Sequence, residues 1–193
     1  NIIGAFYQPK KVLIDPEVLR TLPQRQLSSG LAESVKMAAT FDKELFEMIE
    51  RGDIEENLDT VIEKSLAIKK YVVEHDEKES GLRRVLNFGH TIGHGIESCE
   101  GLHGLYHGEC VALGMLPMCS APVRERLTHI YEKIGLPAAL DFDPERVFEA
   151  VTHDKKLDGN LIHLVFVPEI GTYEMKTMTL HDFHTMIKEA FSS

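Results

Sequence analysis

The stretch Leu82-Arg83-Arg84-Val85-Leu86-Asn87-Phe88-Gly89-His90-Thr91-Ile92-Gly93-His94-Gly95-Ile96 repeats apolar residues at helical intervals and carries two histidines four residues apart. A charged block, Asp76 to Ser80, and Gly81 precede it, so the pattern predicts a turn followed by a helix. On a helix His90 and His94 share one face, the spacing used when two imidazoles converge on a metal or a substrate. The same spacing suits two histidines on a half-buried face, satisfied by backbone or water. With ten histidines in the chain, the pair alone does not choose between these readings.

The flanking sequence extends the helical pattern. Leu31, Val35 and Ala38, then Leu45, Met48 and Ile49, predict helix from Leu27 onward, and Ile54 to Val73 continues with Leu58, Val61, Ile62, Leu66 and Ile68 facing inward. Gly101 to Gly108 reads as a loop. Cys110 to Cys119 reads as a buried helix, bent by Pro117 and ended by Pro122. A short helix follows near Leu127 to Ile134, and Asp143-Pro144 reads as N-cap and first helical position of Glu145 to His153. Leu161 to Val167 and Tyr173 to Thr179 read as strands joined through Pro168 and Gly171, and Leu180 to Phe191 as a terminal helix. Near the start, Ile2-Ile3 and Val12-Leu13-Ile14 read as short strands separated by turns at Gln8-Pro9 and Asp15-Pro16. The expectation is a mainly α protein with a small β-hairpin and short N-terminal strands. Residues 1–26 form a strand and turn segment, and residues 27–193 a helical domain.

At 193 residues with 43% hydrophobic content the chain can fill a core, which excludes disorder throughout. Lys and Arg number 21 against 31 Asp and Glu, a net charge of −10. That balance argues against broad electrostatic binding of nucleic acid or an anionic membrane. No apolar run approaches the roughly 18 residues of a membrane span. Cys99, Cys110 and Cys119 show no CxxC spacing and read as reduced packing residues of a cytoplasmic protein. There is no GxGxxG after a strand, no GxxxxGK[ST] and no GxSxG, so dinucleotide chemistry would need most of its binding site elsewhere. The first residue is Asn1, not Met, and the expectation is a fragment.

His107-Gly108-Glu109 ends the glycine-rich loop just before an apolar helix, which would hold a loop histidine near a buried site, with Glu109 capping that helix. Catalytic zinc takes three protein ligands and keeps a position open. Spacing nominates histidines but leaves the third ligand open. Glu33 sits in Gly30-Leu31-Ala32-Glu33-Ser34-Val35-Lys36 among small and apolar residues, and its plainer reading is a surface pair with Lys36. Lys69 and Lys70, Arg83 and Arg84, and Lys155 and Lys156 would suit a phosphorylated or carboxylated substrate, or are ordinary solvated charge.

Taken together, the segments Asn1 to Pro9, Thr21-Leu22-Pro23, Gly30 to Lys36, Asp76 to Arg83, Leu86 to His94 and His107-Gly108-Glu109 resemble the C-terminal domain of the 3-dehydroquinate synthase family of sugar phosphate cyclases. The resemblance covers nearly the whole chain. It implies that Glu33, His90 and His107 bind zinc, which cobalt could replace, with His94 a neighbour. It further implies that Lys36, Lys69, Arg83, Asn87 and His94 contact substrate, joined by one lysine of Asp154-Lys155-Lys156, here Lys155. Asn1, Thr21 and Leu22 match positions that touch NAD. The implied reaction takes 3-deoxy-D-arabino-heptulosonate 7-phosphate to 3-dehydroquinate and phosphate, through transient oxidation by NAD, phosphate elimination, reduction and aldol closure. The resemblance also implies a homodimer and a separate N-terminal NAD-binding domain, without which this chain would fold but be inactive. Gln26 and Cys110 depart from the family's usual Glu and Ala. Alternatives are another sugar phosphate cyclase, against which Arg83, Asn87 and His94 weigh, or a helical module that binds metal without catalysis.

Overall fold

Helix α1 (Gln24–Phe41) starts behind Pro23 and buries Leu31, Ala32, Val35, Ala38 and Ala39 along one stripe. Asp42 closes it and caps the next helix, accepting from the Leu45 N–H at 2.9 Å. These features belong to a computed structural model describing residues 10–52, 54, 56–77, 81–100, 104–139, 141–154 and 159–191. The expected Ile2-Ile3 strand, and Asn1 and Lys155 among the expected site residues, lie outside them. Helix α2 is Lys43–Arg51, and α3 is Leu58–His75. In α3 the buried stripe runs through Val61, Ser65 and Val72. Leu66, expected to face inward, lies off that stripe and is exposed.

The single helix expected over Leu82 to Ile96 is divided. A 3₁₀ turn, Leu82–Asn87, is followed by α4 (His90–Glu100), with Gly89 at φ 77° between them. That left-handed conformation resets the helical phase and is available to glycine at little cost. Asp76 ties down the start of this segment, accepting from the N–H groups of Gly81 at 2.7 Å and Arg83 at 2.9 Å. Helix α5 (His107–Met115) is buried over most of its length and runs into a 3₁₀ turn, Leu116–Met118, at Pro117. Pro122 does not end that helix. It stands in the first turn of α6 (Ala121–Ile134), where a missing N–H costs nothing. Helix α7 (Pro144–Asp154) follows, and Asp143 accepts from the Glu145 N–H at 3.0 Å as expected of its cap.

Strands β1 (Leu161–Phe166) and β2 (Glu174–Thr179) form the antiparallel hairpin, from Leu161 opposite Thr179 to Phe166 opposite Glu174, and α8 (Leu180–Phe191) closes the chain. Among the described residues this is the whole sheet. Val12-Leu13-Ile14, expected as a strand, has no sheet partner there, because the run is largely exposed and leads directly into a 3₁₀ turn, Pro16–Thr21, capped by Asp15. The core is continuous from Leu31 to Ile187, with Phe46, Phe88, Tyr131 and Phe183 its largest enclosed side chains. The α4–α5 crossing is so close that a Cβ on Gly114 would lie 2.1 Å from the Gly89 carbonyl oxygen. No helix among the described residues is long and apolar enough to cross a membrane. Cys99, Cys110 and Cys119 are free thiols, the latter two buried as packing groups.

Candidate metal centre and substrate cleft

Helices α1 and α4 both pack on α5, and that arrangement brings three distant pieces of sequence to one point. Glu33 and Lys36 project from the middle of α1, His90 opens α4, His94 and Glu97 follow on α4, and His107 opens α5. The three imidazoles lie against one another. Ring centroids are 5.4 Å apart for His90 with His94 and for His90 with His107, and 5.6 Å apart for His94 with His107. One ring nitrogen from each lies within 4.8 Å of the others, a grouping that could hold a metal ion.

Glu33 completes the cluster. Its Oε2 accepts from Lys36 Nζ at 2.5 Å, while Oε1 is buried and has no hydrogen-bond donor. Facing that orphaned oxygen are His90 Nε2 at 3.4 Å and His107 Nε2 at 3.9 Å. The remaining nitrogen of each ring is engaged. His90 Nδ1 is 3.2 Å from the Phe88 carbonyl oxygen, and His107 Nδ1 is 3.1 Å from Glu97 Oε2. Both partners only accept, so in the neutral rings each Nδ1 carries the proton and each Nε2 turns a lone pair toward Glu33. Three acceptor atoms thus converge with no proton between them, a costly arrangement unless a cation joins it. One carboxylate and two imidazoles, with a third beside them, are the donor set of zinc or cobalt.

The electrostatics agree. Burial pushes His90 down to about 4, and the Lys36 ammonium pushes the same way, so the ring is neutral near pH 7. Burial pushes the Glu33 carboxyl up, but the charge and hydrogen bond of Lys36, with lesser help from His90 and His107, bring it below its ordinary value. Lys36 is itself held below the usual lysine range, chiefly by burial and against the pull of Glu33.

Beside the cluster opens a cleft of about 230 Å³ lined by Glu33, Lys36, Lys69, Arg83, Asn87 and His90. Every expected substrate contact among the described residues lines it except His94, whose ring packs against those of His90 and His107. Arg83 is oriented in part by donating from Nη1 to the Glu77 carbonyl at 2.8 Å. Thr21 and Leu22 are elsewhere. Thr21 ends the 3₁₀ turn, its hydroxyl 3.4 Å from the Val18 carbonyl oxygen, and Leu22 lines a second cleft of about 440 Å³ with Arg20, Gln24 and Leu58. The two clefts share no lining residue.

Two participants escaped sequence reasoning. Glu97 continues the stripe of His90 and His94 along α4, and that i, i+4, i+7 polar series was the available signal. Arg25 gave none. Its guanidinium grips Glu109 through two hydrogen bonds of 2.7 Å from the far end of α1. Glu109 also accepts from the Tyr106 N–H at 2.7 Å, so the expected cap forms with Arg25 as an added partner.

This architecture is shared with synthases solved with NAD+ and a divalent metal ion bound. A 2-epi-5-epi-valiolone synthase from Streptomyces hygroscopicus subsp. jinggangensis 5008, solved with NAD+ and Zn2+ bound, matches at a TM-score of 0.85 and 24% identity, over 100% of this chain and 57% of that one. A 2-deoxy-scyllo-inosose synthase complexed with carbaglucose-6-phosphate, NAD+ and Co2+ matches at 0.76 and 25% identity, over 99% of this chain and 57% of that one.

The sequence narrows the class. Residues 30–157 match the family model of the 3-dehydroquinate synthase C-terminal domain, and residues 1–29 that of the N-terminal domain. The chain is 40% identical over 206 residues to the 3-dehydroquinate synthase of Streptococcus sanguinis (strain SK36), covering 98% of this chain and 58% of that protein. For the enzyme of Microcystis aeruginosa (strain NIES-843 / IAM M-2473) the identity is 41% over 210 residues, covering 100% and 57%. The chain belongs to the 3-dehydroquinate synthase family and spans somewhat under three fifths of the length of these relatives.

Proposed function

We propose that this chain is the metal- and substrate-binding part of a 3-dehydroquinate synthase, which converts 3-deoxy-D-arabino-heptulosonate 7-phosphate to 3-dehydroquinate and phosphate. The observation that carries the reading is the donor-less Glu33 Oε1, set against two imidazole lone pairs at the mouth of a cleft with three cationic side chains. Identity near 40% to dehydroquinate synthases, against 24–25% to the other cyclases, favours this substrate.

In this reading Glu33, His90 and His107 hold zinc, or cobalt in its place. The bound metal supplies Lewis-acid polarisation of a substrate hydroxyl. Lys36, Lys69 and Arg83 neutralise the substrate's phosphate and carboxylate, Arg83 through the paired donors of its guanidinium. The Asn87 amide orients a ring hydroxyl. His94 contacts substrate from the imidazole cluster, and Lys155 joins the cationic set. Lys36 is enclosed and already paired with Glu33, so it presents a fixed charge to substrate with little ordering left to do. Asn1, Thr21 and Leu22 touch NAD at the edge of its site. The remaining NAD contacts come from an N-terminal domain of the relatives' kind, so the 193-residue chain by itself is inactive. The active form is a cytoplasmic homodimer.

The test is phosphate release, with product identification, from the heptulosonate phosphate by a polypeptide joining this chain to the family's N-terminal domain, with NAD and zinc supplied. Release coupled to dehydroquinate, abolished by His107→Ala and absent from the chain alone, is expected. A folded polypeptide that binds NAD and zinc yet releases no phosphate would overturn the assignment.

A further inference from the structure

His90 and His107 face the same carboxylate oxygen, but they are not held alike. His90 is enclosed, its side chain 15% exposed, and its Nδ1 lies 3.2 Å from the Phe88 carbonyl oxygen. His107 is the first residue of α5 and its side chain is 46% exposed, so packing confines its ring less than that of His90. Among the described residues its ring meets those of His90 and His94, and the hydrogen bond that orients it is the 3.1 Å contact from Nδ1 to Glu97 Oε2. Glu97 lies one turn beyond His94 on α4, and its side chain, 42% exposed, points across to the start of α5.

We infer that Glu97 is the positioning residue of the metal centre, fixing the tautomer and ring plane of His107 so that Nε2 faces Glu33. This rests on the metal reading proposed above. The chemistry is that of a carboxylate, histidine and metal in series. A carboxylate accepting from Nδ1–H keeps the proton off Nε2, raises the ligand's basicity and removes the rotational freedom that metal binding would otherwise have to freeze. Free imidazole in water divides its proton between the two nitrogens, and the wrong tautomer directs an N–H at the Glu33 oxygen where a lone pair is needed. Among the described residues Glu97 does not line the cleft, and its contact with the cluster is the one to His107.

The full chain tests this with two variants and two readouts. Cobalt affinity is measured by competition with a chromophoric chelator, and the His107 tautomer by ring nitrogen NMR of the metal-free chain at about pH 8, where imidazoles are ordinarily neutral. Glu97→Ala is expected to lose about 10- to 100-fold in cobalt affinity and to shift the ring toward the Nε2–H form, with the melting temperature of the metal-free chain unchanged. Glu97→Gln keeps an acceptor oxygen and nearly the same shape, and is expected to recover most of both. Cobalt affinity within twofold of the parent in Glu97→Ala, or an Nε2–H tautomer already dominant in the parent chain, overturns the positioning role. A parent chain that binds no cobalt while showing the Nδ1–H tautomer overturns the metal reading instead, and this inference falls with it.

Discussion

Replacing Gly108 by alanine tests whether the contact between α1 and α5 sets the geometry of the metal centre. A Cβ at this position would lie 1.9 Å from the Ser29 carbonyl oxygen, 2.6 Å from its carbon and 2.7 Å from Ser29 Oγ. Two of these atoms are backbone, so a rotamer change cannot relieve the clash. Helix α5 must retreat from α1 by about 1 Å before the closest contact becomes tolerable. The retreat stretches the 3.1 Å hydrogen bond from the Gly108 N–H to Ser29 Oγ. Overpacking of this kind costs about 1–3 kcal/mol, and loss of the hydrogen bond about 1 more. For a domain of this size the sum corresponds to a fall of roughly 4–15 °C in melting temperature. Ser29 lies one helical turn before Glu33, and Gly108 adjoins His107, so the same displacement separates two of the proposed ligands. Cobalt affinity should fall along with stability. The control is Gly30→Ala, next in sequence to the contact but with nothing within 4 Å of its Cβ. Alanine there should stabilise α1 by about 0.5–1 kcal/mol. Calorimetry and cobalt titration of both variants decide the matter, and a Gly108→Ala chain that melts and binds cobalt like its parent would refute the reasoning.

Two predictions concern the scaffold. Arg126 donates to Glu50 at 2.7 and 2.6 Å, and these bonds hold the Glu50 carboxyl below its ordinary value against a smaller opposing effect of burial. Because the folded value is depressed, the pair's contribution is complete above the unfolded carboxylate pKa of about 4.3 and is lost as pH falls through the folded value. The melting-temperature gap between the parent and Glu50→Gln should therefore close on acidification below about pH 4, and a gap that persists unchanged in acid would show that charge is not its source. Tyr131, fully enclosed, donates its hydroxyl to the Ala112 carbonyl at 2.9 Å. Tyr131→Phe should cost about 1–2 kcal/mol in urea unfolding, and an unmoved midpoint at equal slope would contradict that accounting.

Periodicity located the elements whose buried faces are continuous. The hairpin and Leu180–Phe191 follow from alternation and from a 3.6-residue stripe, and both form where expected. It failed where geometry changes without a change in pattern. Apolar residues repeat smoothly across Gly89, yet a single left-handed residue there separates a 3₁₀ turn from α4. Leu66 looked inward because every leucine in an amphipathic stretch does, whereas the stripe α3 buries is narrow. At the site, the spacing of His90 and His94 was readable because both lie on one helix. Glu33 was not, because the packing of α1 on α5 brings it there and no local spacing encodes that packing. The family resemblance nominated it, and the orphaned Oε1 is the physical counterpart of that nomination.

The placement of the two metal-facing histidines has a physical logic beyond proximity. His90 and His107 are each the first residue of a helix, α4 and α5, so both stand where backbone N–H groups lack intrahelical acceptors and the helix dipole is positive. A positive helix end disfavours an added proton on imidazole, acting in the same direction as the burial and the Lys36 charge that hold His90 neutral. It favours the Glu33 carboxylate and any anion drawn into the adjoining cleft by Lys36, Lys69 and Arg83. The break at Gly89 that periodicity could not reveal is therefore the step that starts α4 at His90. A helix running unbroken from Leu82 would have put this histidine two turns inside, without the dipole and without the Phe88 carbonyl on Nδ1.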